Sequence, residues 1–133
     1  MKTRMDKQTG KIIIPAGVNV WPHEMETARV LAKHGFTVEF VRRNEGQRQT
    51  SADLLMNGLM WEIKSPTSHQ LRTVEKNLRK ALHQSPNIVF DSRRMKNIPD
   101  RAIEREVRKW SGELKSIKHV VYISRHARII DIL

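Results

Sequence analysis

Apolar positions along the chain alternate between two rhythms. From Pro22 to about His34, Met25, Ala28, Leu31 and Ala32 fall on one face of a helix, with Pro22 suited to its first position and Gly35 to its stop. Glu24 lies at the edge of that face and Glu26 opposite it, so Glu24 points toward protein and Glu26 toward water. Phe36 to Val41 alternates as a strand. Ala52 to Met56 and Leu59 to Lys64 flank Asn57-Gly58, and Asn-Gly between two apolar runs is a strong hairpin signal. Ser65-Pro66 ends that strand. A helix from roughly His69 to His83 carries Leu71, Val74, Leu78, Ala81 and Leu82 on one face. Asn87 to Phe90 reads as a short buried strand. Pro99 opens a third helix, with Ile103, Val107, Trp110 and Leu114 as its stripe, and Lys118 to Ser124 and Arg128 to Ile132 close the chain as paired strands. The order is helix, three strands, helix, strand, helix, two strands: a mixed α/β (α+β) sheet with helices packed on it. The short run Ile12 to Ile14, stopped by Pro15 and Gly17, has no assigned partner, and the first eleven residues are expected to be loose.

Composition narrows the partners. A chain of 133 residues with 38% hydrophobic content is long enough for one packed domain. The absence of cysteine excludes a disulfide framework and a thiolate zinc site. Lys and Arg number 25 against 14 Asp and Glu, a formal charge of +11, which points first to nucleic acid and then to an acidic protein. No apolar run is long enough to span a membrane, so a soluble chain with no membrane partner is expected.

The chemistry sits on the hairpin. In Trp61-Glu62-Ile63-Lys64, alternate residues share a face, so Glu62 and Lys64 point one way and Ile63 the other. A two-residue turn at Asn57-Gly58 pairs Met56 with Leu59 and, three steps along, Asp53 with Glu62; directly paired residues project on one face. Two carboxylates and an ammonium then converge. Facing carboxylates repel unless a cation lies between them. Mg²⁺ suits this donor set, being held by one or two carboxylates plus water and substrate phosphate, with Mn²⁺ or Zn²⁺ as substitutes. Asp53, Glu62 and Glu24 are the expected metal ligands, and Lys64 is expected to orient water and stabilise developing charge. The plainer alternative is that Asp53 and Glu62 face solvent and Lys64 pairs with one of them; Glu113-Leu114-Lys115 is a second such triplet with no hairpin partner.

Phosphate binding is expected from the basic helix face Arg72, Lys76, Arg79, Lys80 and His83, with Arg93, Arg94, Arg42, Arg43 and Arg48 as weaker candidates. Gln84, Ser85 and Asp91 are expected to cap a helix or close a turn rather than approach the edge of the site, with pairing to Arg93 or Arg94 as the alternative for Asp91. His69 or His83 are candidate general acids. Trp21, Trp61 and Trp110 are expected as core anchors.

These residues, as arranged, resemble the PD-(D/E)xK nuclease superfamily, in which an acidic residue on the second core strand precedes (D/E)-x-K on the third. More narrowly, NGLMWEIKSP followed by SPNIVFDSRR is similar to the tRNA nuclease domain at the C-termini of contact-dependent growth inhibition toxins and related polymorphic toxins. The likeness runs from about Trp21 to about Ile103; the superfamily's proline before the aspartate is Ala52 here. It implies a restriction-endonuclease-like core with an added helix and C-terminal strand pair, in a single nuclease domain over residues 1–133. It also implies a metal-dependent endonuclease cleaving tRNA and an acidic immunity protein as partner. The site of action would be the cytoplasm of the producing or target bacterial cell, reached by delivery as the C-terminal part of a secreted toxin. The same residues would serve a DNA endonuclease of a phage or mobile element. A non-catalytic nucleic-acid-binding module with this fold is the third reading, and the intact Glu62 and Lys64 weigh against it.

Overall fold

The computed structural model describes residues 9–42 and 53–133, with Asp53 described by its backbone alone. The N-terminal octet, Arg43, Arg48 and Ala52 lie outside the described residues. The chain divides into two compact units, 1–60 and 61–133.

In the first unit, strand β1 (Ile12–Ile13) pairs parallel with β2 (Val38–Val41), and β2 pairs antiparallel with β3 (Asp53–Met56), Val38 opposite Met56 and Val41 opposite Asp53. Helix α1 (Pro22–Lys33) packs against β1 and β2. Its face is the one the periodicity predicts: Ala28 and Leu31 are fully buried, as are Val38 and Phe40 of β2, while Glu26 stays exposed and pairs with Arg29 at 2.7 Å. Gly10 is a close-approach residue. Its backbone N–H donates to Ala32 O at 2.7 Å, and a Cβ there would stand 1.8 Å from the Phe36 carbonyl oxygen. Asn57 and Gly58 have φ of 55° and 77°, both in the left-handed region, as a type I′ hairpin turn requires. Strand β4 (Leu59–Lys64) begins directly after that turn.

In the second unit, β4 pairs parallel with β5 (Asn87–Asp91), β5 parallel with β6 (His119–Ile123), and β6 antiparallel with β7 (Ile129–Asp131). Helix α2 (Arg72–Leu82) connects β4 to β5, and α3 (Asp100–Glu113) connects β5 to β6. The core forms where Val74 and Leu78 of α2 and Ile103 and Val107 of α3 meet Ile88 and Phe90 of β5, with Tyr122 of β6 beside them. All five residues of β5 are buried, Ile88 and Phe90 beneath α2 and α3.

The structure departs from the sequence expectations at edges. The pairing of Ile12 and Ile13 with β2 makes a strand of a run that had no assigned partner. Trp21 is 48% exposed rather than a core anchor, because it is the residue before α1, where the chain is still outside the packed face. Among the described residues no helix is long and apolar enough to cross a membrane.

Candidate active site on strand β4

Glu62 pairs in register with Ile88, and Lys64 with Phe90. Cα partners in a parallel ladder put their side chains on one face, so Glu62 and Lys64 lie on the face that carries Ile88 and Phe90, beneath the helix layer. Ile63 pairs with Val89 on the other face. The period-two reading of this strand therefore stands. Lys64 Nζ is 3.5 Å from Glu62 Oε2; the Glu62 side chain is 9% exposed and that of Lys64 22%. A carboxylate withdrawn this far from water is costly unless cations and donors surround it. Lys64 supplies one such cation, and among the described residues its ammonium bonds to no other group.

The end of β4 is anchored. Arg94 Nη1 donates to Ser65 O at 2.8 Å, tying the loop after β5 to the residue following Lys64. Ser65 Oγ is buried with no hydrogen-bond partner among the described residues. His69 Nδ1 lies 3.3 Å from Lys96 O, so that loop is fastened at a second point. Arg125, which the sequence reading did not single out, donates Nη2 to Met95 O at 3.0 Å and to Ile98 O at 2.5 Å. Nothing in the local sequence around Arg125 signals carbonyl partners so far along the chain.

Arg93 and Arg94 were expected to reach for phosphate. Arg94 is half-buried on Ser65 O. Arg93 grips Asp91 with Nε at 2.9 Å from Oδ1 and Nη2 at 2.8 Å from Oδ2, while its backbone N–H reaches Oδ1 at 3.1 Å. Asp91 is 2% exposed and takes the alternative expected of it, pairing with Arg93. Ser85 takes the expected turn role: its Oγ accepts the Asn87 N–H at 3.0 Å, closing the turn after α2.

The basic face of α2 is exposed as expected, with Arg72, Lys76 and Lys80 in solvent. Arg79 pairs with Glu75 at 2.8 Å and also sits over the Trp110 ring, 5.8 Å from its centroid. A concavity of about 410 Å³ runs along this face, lined by Gln70, Arg72, Thr73, Glu75, Lys76 and Arg79. His83, at the end of α2, is exposed.

In the first unit, Glu24 is 7% exposed, and its Oε1 accepts the Trp21 backbone N–H at 3.4 Å. It thus occupies the third position of α1 and closes back on the residue before the helix, half of a capping box. A buried carboxylate there also complements the positive end of the helix dipole. Asp53 opens β3 opposite Val41. Among the described residues no three His, Asp or Glu side chains gather at metal-binding spacing; the side chain of Asp53 is not among those described.

This arrangement is a mixed α+β fold with a buried acid–lysine pair on a strand of a partly parallel sheet. The model of the contact-dependent growth inhibition CdiA C-terminal domain matches residues 50–129, well over half of the chain, and the chain belongs to that family. Among solved structures, the chain is similar to one in the CdiA-CT/CdiI toxin and immunity complex from Burkholderia pseudomallei. They share 17% identity over 89% of this chain and 96% of that one, with a TM-score of 0.64, so the likeness is one of fold. A search of curated proteins finds no match.

Proposed function

We propose that this chain is the toxin domain of a contact-dependent growth inhibition system, a metal-dependent endonuclease of restriction-endonuclease-like core that cleaves tRNA. The observation that carries the reading is the buried Glu62 carboxylate with the Lys64 ammonium 3.5 Å away, inside the segment that matches the family. Hard oxygen donors withdrawn from water suit a divalent cation better than they suit solvent. Glu62 and Asp53, with Glu24, would hold that ion, Mg²⁺ before Mn²⁺ or Zn²⁺. Bound there, the ion supplies charge neutralisation at the scissile phosphate and a more acidic water.

The protein's own residues do the rest. Lys64 donates to a non-bridging phosphate oxygen and holds the attacking water in line, stabilising charge as it develops. Arg72, Lys76, Arg79 and Lys80 hold flanking phosphates. Burial of Glu62 among apolar neighbours strengthens each of these interactions by lowering the local dielectric. The neighbouring fold comes from a complex of a toxin with its immunity protein, which supports an acidic immunity partner for a chain of charge +11. The place of action under this reading is the bacterial cytoplasm, where tRNA is.

Induced expression of the chain inside bacteria tests this. The wild type is expected to arrest growth with loss of intact tRNA, and Glu62→Gln to be tolerated. Growth arrest with intact tRNA and nicked chromosomal DNA would move the reading to a DNA endonuclease. Equal arrest by both proteins would remove Glu62 from the mechanism.

A further inference from the structure

The exposed cations of α2 continue onto a second helix. On α3, Arg101, Arg105 and Lys109 repeat every four residues, one turn apart on the solvent side, as Arg72, Lys76 and Lys80 do on α2. The two helices meet at Trp110: Arg79 Cζ lies 5.8 Å from the centre of its ring and Lys109 Nζ 4.9 Å. Acidic residues on these helices are occupied elsewhere. Glu75 holds Arg79, Glu104 holds Arg108 at 2.9 Å, Glu106 accepts the Trp110 indole N–H at 3.0 Å, and Asp100 accepts the Tyr122 phenol at 2.7 Å. Glu113, at the far end of α3, is the exposed exception. Lys76, Lys80, Arg101 and Arg105 make no ion pair among the described residues, so along each row like charges stand one turn apart. That arrangement is unfavourable alone and favourable against a polyanion.

We propose that the outer face of α2 and α3 is a platform for the phosphate backbone of a long nucleic acid, separate from Glu62 and Lys64, with Arg105 and Lys109 carrying the α2 row across Trp110. The inner faces of both helices pack on Ile88 and Phe90, the same sheet face that bears Glu62 and Lys64. A helix is roughly 10 Å across with its side chains, so the platform stands at least that far from the carboxylate. A single nucleotide cannot touch both. A folded RNA or a duplex can, and the platform therefore selects substrates by length and fold rather than by base. The inference rests on the nucleic-acid part of the proposed function and not on catalysis.

The test uses the full chain carrying Lys64→Ala, in EDTA so that nothing is cut, with a folded tRNA, a duplex DNA and a single nucleoside monophosphate as probes. Adding Arg105→Glu and Lys109→Glu is expected to weaken binding of one of the long probes at least tenfold. The slope of log K against log salt for that probe should fall by about 1.4 to 1.8, the loss of two phosphate contacts. Whichever long probe loses most identifies the backbone recognised. Arg105→Lys with Lys109→Arg should bind as the parent does. Equal affinity of parent and reversal variant for both long probes overturns the platform, as does an equal loss on the nucleoside monophosphate. Cleavage by the otherwise wild-type enzyme, measured in parallel, separates the two ideas: a platform without cleavage sinks the nuclease reading only, and cleavage without a platform sinks this one only.

Discussion

Replacing Arg93 by alanine should cost the second unit a large part of its stability, although the residue looks like a phosphate ligand in sequence. Its guanidinium makes two charge-assisted hydrogen bonds to Asp91, at 2.9 and 2.8 Å. Asp91 is 2% exposed, so alanine would take the Arg93 cation away from a carboxylate held in the interior. Removing one member of a buried pair costs about 3–5 kcal/mol. The Arg93 side chain is 25% exposed and Asp91 keeps the Arg93 backbone N–H, which puts the expected loss at the lower end, about 3 kcal/mol. Unfolding entropy of about 2.1 cal/mol/K per residue then turns this into a fall of roughly 10 °C in melting temperature for a chain of this length. Calorimetry or denaturant unfolding reads it. Arg72→Ala, at an exposed position, should change stability by less than about 0.5 kcal/mol. The paired replacement Asp91→Leu with Arg93→Met should lose less than Arg93→Met alone, because it leaves no buried charge behind. An Arg93→Ala protein within about 0.5 kcal/mol of the parent would show that Asp91 is satisfied without Arg93, and the reasoning would fail.

Other outcomes follow from the same geometry. Gly10→Ala should destabilise the first unit by more than the few tenths of a kcal/mol of an ordinary surface change, since its Cβ would stand 1.8 Å from the Phe36 carbonyl oxygen; denaturant unfolding reads the loss, and an unchanged midpoint counts against that close approach. Tyr122→Phe should lose about 1 kcal/mol, because Asp100 Oδ1 loses a donor at 2.7 Å. Burial, with the Asp100 carboxylate adding to it, pushes the Tyr122 phenol well above its ordinary value of 10.0. The unfolded chain therefore ionises first, so this part of the stability is whole below pH 10 and declines as pH rises above it; melting scans in alkali should show a shallower decline in Tyr122→Phe.

Much of the scaffold is legible because it rests on short-range rules. The stripes of α2 and α3 follow from spacing, the hairpin turn from Asn57-Gly58, and the shared face of Glu62 and Lys64 from the two-residue period of a strand. The features that were not legible depend on partners distant in the chain. Ile12 and Ile13 form a strand only because Val38 and Glu39 lie beside them. Arg94 turns to Ser65, twenty-nine positions away, and Arg125 to Met95 and Ile98; no local pattern distinguishes an arginine that binds carbonyls from one that binds phosphate. Arg79 and Lys109 meet over Trp110 only because α2 and α3 pack together. Trp21 shows the converse: a bulky apolar residue suggests the core, yet its position before the first turn of α1 keeps it in water.

The central claim is that the acid–lysine pair of β4 hydrolyses a phosphodiester bond. Its most direct measurement is incubation of the purified chain with total tRNA and with plasmid DNA, in Mg²⁺, Mn²⁺ or EDTA, beside Lys64→Ala. Cleavage of tRNA by the parent in Mg²⁺, abolished by EDTA and reduced at least a hundredfold in Lys64→Ala with its melting temperature intact, is the result expected for a donor aimed at developing charge. Cleavage by Lys64→Ala at the parent's rate, or no cleavage of either substrate by the parent in any metal, would contradict it.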